Sequence, residues 1–249
     1  MSYRIYSFML LLASLIAWEA FCRLGAVSEL IVPAPSAVGV VLWQSVTSGY
    51  LWPHIWVTSV EMALGLALGA AMGFGCGVVL SEAVFIKRLL WPYIIASQVV
   101  PKLALAPLFI VWFGFGMTST VIITALICFF PLLENTITGL THVDPNKQEL
   151  FRMLGASRAQ ILWRLRVPTG MPVILAGLRV AVVLALVGAV VGEFIGGREG
   201  LGATIIAAQA MMDSTLMFAV LFVITTLGIA FYQSTVLVES WLLRRHKQE

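Results

Sequence analysis

The sequence predicts an all-α membrane protein of about six transmembrane helices, and three observations lead there. Of its 249 residues 60% are apolar and only 11% charged, with a mean hydropathy of +0.99, whereas soluble domains carry about 25% charged residues. The apolar residues gather in six runs, each close to the roughly 20 residues that a spanning helix needs. The 15 Lys and Arg side chains collect at the ends of these runs rather than in a basic patch, so nucleic acid is not an expected partner, whereas membrane lipid is.

The expected spans are 5–21, 55–80, 93–113, 120–140, 173–194 and 216–237. The first, preceded by Arg4, resembles a signal peptide in charge and length but lacks an A-x-A cleavage site. Phe21 before Cys22 is too bulky for a lipoprotein signal, so the run is expected to stay as a helix. In the following segment, Pro33 and Pro35 impose an extended entry, and Ser36 is expected to cap a short helix to about Val46. In the second span Gly65, Gly69, Gly73 and Gly77 recur every four residues, and Gly188, Gly192 and Gly196 repeat the device in the fifth. Such stripes let another backbone approach closely, either within the chain or across a dimer. Pro92, Pro101 and Pro107 interrupt the third span, so VVPKLALAPL either lines a path or forms a packed kink.

Topology follows from charge. With the N-terminus inside, the inner segments hold Arg4, Lys87, Arg88, Lys147, Arg152, Arg158, Arg164, Arg166, Arg244, Arg245 and Lys247, and the outer ones only Arg23 and Arg198. The positive-inside rule then places both termini in the cytoplasm. Chemistry is sparse. No G-x-x-x-x-G-K-[ST] loop is present, so any ATP hydrolysis belongs to a partner. Cys22, Cys76 and Cys128 sit singly in apolar runs, and His54, His142 and His246 lack metal-ligand spacing, so no metal site is expected.

The longest inner segment is a loop at 141–172. Asp144 with Pro145 predicts a helix start, Gly155 its left-handed end, and Ser157 with Gln160 a capping box opening a second, basic helix that Pro168 ends or kinks. A compact knob of this kind reads either as a docking surface or as an interfacial helix with Arg158, Arg164 and Arg166 among lipid headgroups.

Glu149, Gly155, Leu165, Val167 and Pro168 follow the spacing E-A-A-x-x-x-G-x(9)-I-x-L-P of the permease subunits of ABC importers. Leu150 and Phe151 depart from its two alanines. The resemblance continues through IVPAPSAV, LALAPLFIVWFGFG, FFPLLENTITGL and GLRVAVVLALVGAVVGEFIGGREGLGATI, and is to the nitrate, sulfonate and taurine branch. It implies a type I importer permease fold working as a dimer with a second copy of the chain. It also implies two ATPase subunits carrying ATP and Mg, an extracytoplasmic binding protein that delivers a small solute, and no cofactor or covalent catalysis in this chain. By the same resemblance Glu149, Leu150, Phe151, Arg152, Leu154, Gly155 and Ala156, with Leu165 and Pro168, form the coupling helix and its support.

Ionisable residues at membrane depth are candidates for function, which singles out Glu61, Lys102, Arg179 and Glu193 for the translocation path. Glu134, in the inner half of the fourth span, is read as reaching toward the interface. Lys102 is expected to meet an anionic substrate or to pair with Glu61, at a position where relatives more usually carry a basic residue. Arg179 and Glu193 are expected to form structural pairs. A stand-alone secondary transporter, which would show inverted repeats of broken helices, is the alternative.

Overall fold

The computed structural model describes residues 2–24, 28 and 30–246. Of the basic residues counted above, Lys247 lies outside the described residues, and of Arg4, Arg244 and Arg245 only the backbone is described. Every regular element among the described residues is helical. They are α1 (Ser2–Arg23), α2 (Pro35–Thr47), α3 (Leu51–Glu82), α4 (Val84–Val99), α5 (Ala106–Phe113), α6 (Met117–Thr141), α7 (Pro145–Met153), α8 (Arg158–Ile161), α9 (Val167–Gly196), α10 (Leu201–Ala210) and α11 (Ser214–His246). Five segments are long and apolar enough to span a membrane, and six if α4 and the Lys102–Phe113 segment, bent by 79° at Pro101, count as one.

Three boundaries differ from the sequence expectation. Helix α2 begins at Pro35 with Ala34 as an extended N-cap, because proline fits the first helical position, where its missing N–H is not needed. Ser36 therefore does not cap it. Its N–H and Oγ instead bond the Glu19 carboxylate at 3.0 and 2.7 Å. Helix α3 starts at Leu51, with Pro53 accommodated in the first turn, where N–H groups lack intrahelical partners anyway. Pro168 does not end the basic helix. A five-residue π turn, Leu162–Arg166, carries α8 directly into α9, and this wider turn lies where a proline ring would crowd the preceding carbonyls.

Helix α6 is the centre of the molecule, with α3 on one side and α9 on the other, and the glycine stripes set both contacts. A Cβ at Gly69 would lie 2.4 Å from the Ala125 carbonyl oxygen, and one at Gly73 2.5 Å from that of Phe129. Gly188 and Gly192 likewise face Thr124 and Thr120. Both stripes are thus seams within the chain, where close backbone approach gives the van der Waals contact that lipid cannot. Met62, Cys128, Val182 and Ala185 fill the layer between the three helices.

The bundle has two distinct ends. At one, Arg166 gathers the end of α3 and the end of α6, and the knob of α7 and α8 projects there. At the other, Gly116 N–H bonds Gly196 O at 2.9 Å, and residues of α2 and α10 pack with Leu51 and Val220. Chain direction places the Ser2 end of α1 and the His246 end of α11 on the knob side.

Candidate functional site

The knob is built as its sequence predicts. The Asp144 carboxylate accepts the Asn146 N–H at 2.9 Å, and Pro145 opens α7. Gly155, at φ +76°, reverses the chain, and the Ala156 N–H reaches back to Phe151 O at 3.0 Å. Ser157 and Gln160 exchange the two bonds of a capping box at 2.7 and 3.3 Å. Val143, Ile161 and Leu165 form a small core with Phe151 and Ala156. The large Phe151, where the related pattern has alanine, therefore fills space inside the knob. Leu150, Met153 and Leu154 point outward and are 54%, 78% and 76% exposed. Glu149 and Arg152 are exposed beside them.

Arg166 anchors this knob to the bundle. Its Nε donates to Leu140 O at 2.7 Å, and its guanidinium bonds the Glu82 carboxylate and Ser81 O. One planar, multiply donating group thus joins the ends of α3 and α6 to the turn entering α9. Pro168, half-buried, sits just beyond this clamp.

Of the four candidate path residues, two line cavities on one face and two meet elsewhere. Lys102, just past the Pro101 break, borders a cavity of about 540 Å³ with Gln98, Phe130, Glu134, Asn135, Leu184 and Val187. Its Nζ lies 4.3 Å from the centroid of the Phe130 ring, and Gln98 Nε2 donates to Glu134 Oε1 at 2.6 Å. The anticipated pair with Glu61 does not form; the carboxylate near Lys102 is Glu134, because the chain turn at Pro101 aims Lys102 at α6 rather than α3. Glu134, read as an interfacial side chain, faces this cavity. Arg179 lines an adjoining cavity of about 440 Å³ that shares Val180 and Leu184 with the first, and it pairs with Glu239 of α11 at 3.1 Å.

Glu61 and Glu193 are each 1% exposed and lie within hydrogen-bonding reach of one another, away from both cavities. Glu193 Oε1 accepts the Thr58 hydroxyl at 2.6 Å and Oε2 accepts the Gly202 N–H at 2.5 Å, while Thr58 Oγ1 accepts the Leu201 N–H at 2.8 Å. Leu201 and Gly202 open α10, so Thr58 and Glu193 cap α10 from two other helices. His54 Nδ1 accepts the Gly200 N–H at 3.1 Å and completes the node. Gly200, at φ +112°, leaves no room for a Cβ, which would lie 2.3 Å from the Glu193 carboxyl carbon. This node ties α3 and α9 to the start of α10, and neither Glu61 nor Glu193 lines either of the two cavities.

The chain that builds this bundle, with one broken span and a capped knob, is matched by a known family over most of its length. Residues 63–244 fit the description "Binding-protein-dependent transport system inner membrane component". The chain belongs to that family. This inner membrane component is 36% identical over 234 residues to the riboflavin transport system permease protein of Chloroflexus aurantiacus, covering 94% of the chain and 87% of the relative. It is 34% identical to the formylaminopyrimidine transport permease protein of Halalkalibacterium halodurans, covering 94% and 93%. With an aliphatic sulfonates transport permease protein of Bacillus subtilis the identity is 33%, covering 88% and 80%. Its fold is that of a chain of the methionine ABC transporter in inward-facing form, with a TM-score of 0.69 at 16% identity, covering 78% of this chain and 98% of the other.

Sequence reasoning missed several members of these sites. Glu239 lies two residues beyond the expected end of the sixth span, yet α11 continues through it. Thr58 and Gln98 are polar residues of ordinary helix composition, and only long-range packing reveals their partners. Glu82, the partner of Arg166, has no motif; its acidic charge at a helix end that faces a basic loop was the available signal.

Proposed function

We propose that this inner membrane component is the translocating permease of an ATP-driven importer and that the α7–α8 knob is where an ATPase subunit grips it. The exposed Leu150, Met153 and Leu154 carry this reading. Apolar side chains bared on a capped, polar-ended knob outside the spans are not covered by lipid, and such patches mark partner contacts. Glu149 and Arg152 supply charges at its rim, and Arg166 transmits displacement of the knob to α3, α6 and α9 together.

In this scheme the knob and both termini face the cytoplasm, in keeping with the excess of Lys and Arg in those segments. Two ATPase subunits bind ATP and Mg and seat the knobs of two copies of this chain. ATP binding shifts the pair between inward-facing and outward-facing arrangements through contacts that differ between them. An extracytoplasmic binding protein presents the solute, an organic or inorganic anion or a small heterocycle, and the permease performs no covalent step.

The test is co-expression with the ATPase encoded beside this chain. Purification is expected to recover a two-plus-two complex that hydrolyses ATP and imports solute when the binding protein is added. Proton-driven uptake by this chain without an ATPase overturns the proposal.

A further inference from the structure

A space of about 750 Å³ lies between the knob and the spans, and its walls come from both. Arg152 of α7 and Arg158 of α8 line it from the knob, Glu82 and Thr141 from the ends of α3 and α6, and Arg166 from the turn entering α9. Three arginines thus share the space with one carboxylate, and that carboxylate is already bonded to Arg166. The ion pairs among the described residues are Arg23–Glu19, Arg166–Glu82 and Arg179–Glu239, and neither Arg152 nor Arg158 takes part in one. Two guanidinium groups therefore border the space without a counter-charge, and the guanidinium fork matches the oxygens of a phosphate.

A second cavity adjoins the first at the corner between α3 and α4. Val79, Leu80 and Ile86 line it, beside Ser81, Glu82 and Val84 of the first. It measures about 630 Å³, and Met72, Cys76, Leu90 and Phe129 are among its apolar walls. Ser97 and Tyr93 bring its two hydroxyls, and that of Ser97 is turned onto Ile94 O at 2.7 Å. A buried water needs two to four polar partners, so the content that suits this space is hydrocarbon. Lys87, over the Trp91 ring at 5.6 Å, and Arg88 stand near the start of α4, where basic and amphipathic aromatic side chains mark the level of the headgroups. A cationic space joined to an apolar one fits an amphiphile, whereas a free phosphate satisfies only the first.

We propose that this corner binds one anionic phospholipid, its phosphate held by Arg152 and Arg158 between knob and spans and an acyl chain laid in the apolar cavity. Basic pockets beside the cytoplasmic ends of spans collect anionic headgroups in this way. Leu150, Met153 and Leu154 are not among the walls, so the lipid leaves the proposed ATPase contact free. Bridging Arg152 and Arg158 beside the Arg166 clamp, it stiffens the joint between the knob and the spans. The assignment goes beyond the permease reading and requires only that the spans cross a membrane.

The full chain, purified in a nonionic detergent, is titrated with phosphatidylglycerol, with phosphatidylcholine of the same acyl chains, or with inorganic phosphate, and bound lipid is counted by native mass spectrometry. One phosphatidylglycerol per chain is expected to bind about tenfold tighter than phosphatidylcholine, the scale of one charge-assisted hydrogen bond. Excess phosphate is expected not to displace it. Arg158→Gln is expected to weaken that binding about tenfold on the same scale, and Arg152→Gln acts in the same direction. Arg164→Gln removes the same charge from the same loop outside the cavity, and is expected to leave the affinity within about threefold. Cys76→Trp, at an exposed position of the apolar wall, is expected to weaken binding by filling the place of the acyl chain. Equal binding of the two lipids, displacement by phosphate, equal effects of the Arg158 and Arg164 variants, or an unaltered affinity in Cys76→Trp each overturns the proposal. So does loss of the bound lipid when the ATPase subunits assemble on the chain, which assigns the cavity to the ATPase seat instead.

Discussion

The Thr58 hydroxyl donates to Glu193 at 2.6 Å across two helices while accepting the Leu201 N–H at 2.8 Å. One hydroxyl thus satisfies both roles available to it, and all three groups are buried. Thr58→Val keeps the shape but strips Glu193 and Leu201 of a partner each. Unsatisfied buried polar groups cost about 1–3 kcal/mol, so the variant is expected to lower the apparent Tm of the purified protein clearly, and Thr58→Ser to restore most of it. An unchanged Tm in the valine variant would show that the node contributes nothing to stability.

Glu61 presents the opposite situation, since its Oε2 has no hydrogen-bond partner among the described residues, while its carboxyl lies within hydrogen-bonding reach of that of Glu193. Two carboxyl groups at this distance share a proton rather than ionise together, and taking up that proton near neutral pH costs stability. An amide at the position donates to Glu193 without a proton having to be taken up, so Glu61→Gln is expected to raise Tm by about 2–4 °C, the shift that corresponds to roughly 1 kcal/mol in a chain of this size. Glu61→Ala, which leaves a cavity, is expected to lower it. A fall in Tm with the glutamine variant refutes the view of this contact as strained.

Much of this architecture was legible in the sequence because lipid enforces it: spans must be long, apolar and helical. The knob was legible for a different reason, since caps and a left-handed glycine are local chemistry that needs no tertiary context, and Asp144, Gly155 and Ser157 all behave accordingly. The side-chain partners at membrane depth were not legible. Lys102 and Glu61 are both charged and both lie on the span segments named for the path, but which of them meet depends on the 79° bend at Pro101, and no periodicity encodes a bend angle. Glu239 was hidden by a span boundary drawn at the end of an apolar run, although a helix can continue beyond the lipid. The glycine stripes were visible as stripes, yet whether they faced a helix of the same chain or of a second copy became clear only from their contacts with α6.

Those contacts can be checked by a pair of alanine substitutions on the same helix. Gly69→Ala places its methyl 2.4 Å from the Ala125 carbonyl oxygen, whereas Gly75 has nothing within 4 Å of an added Cβ. The first change must push α3 off α6, and about 1–3 kcal/mol of destabilisation is expected, as for overpacking in a tight core. The second gains helix propensity, up to about 1 kcal/mol. A lower Tm for Gly69→Ala together with an equal or higher one for Gly75→Ala identifies the stripe as a packing seam. Equal behaviour of the two variants contradicts the close approach.

Gly155 separates the docking role of the knob from its folding. Its φ of +76° is strained for any side chain, but an added Cβ there meets no atom within 4 Å, so a substitution acts only on the turn. Gly155→Val is expected to cost about 1–2 kcal/mol, the penalty of a left-handed conformation, and more because the side chain is β-branched. That is enough to displace the turn after Leu154 while the spans, which depend on other contacts, insert normally. ATPase association measured by co-purification should therefore fall, with membrane yield unchanged. Gly155→Asn, which tolerates the left-handed region, should retain most of the association. Equal coupling in the valine and asparagine variants would mean that the ATPase does not read the geometry of this turn, and the docking surface would have to lie elsewhere than on Leu150, Met153 and Leu154.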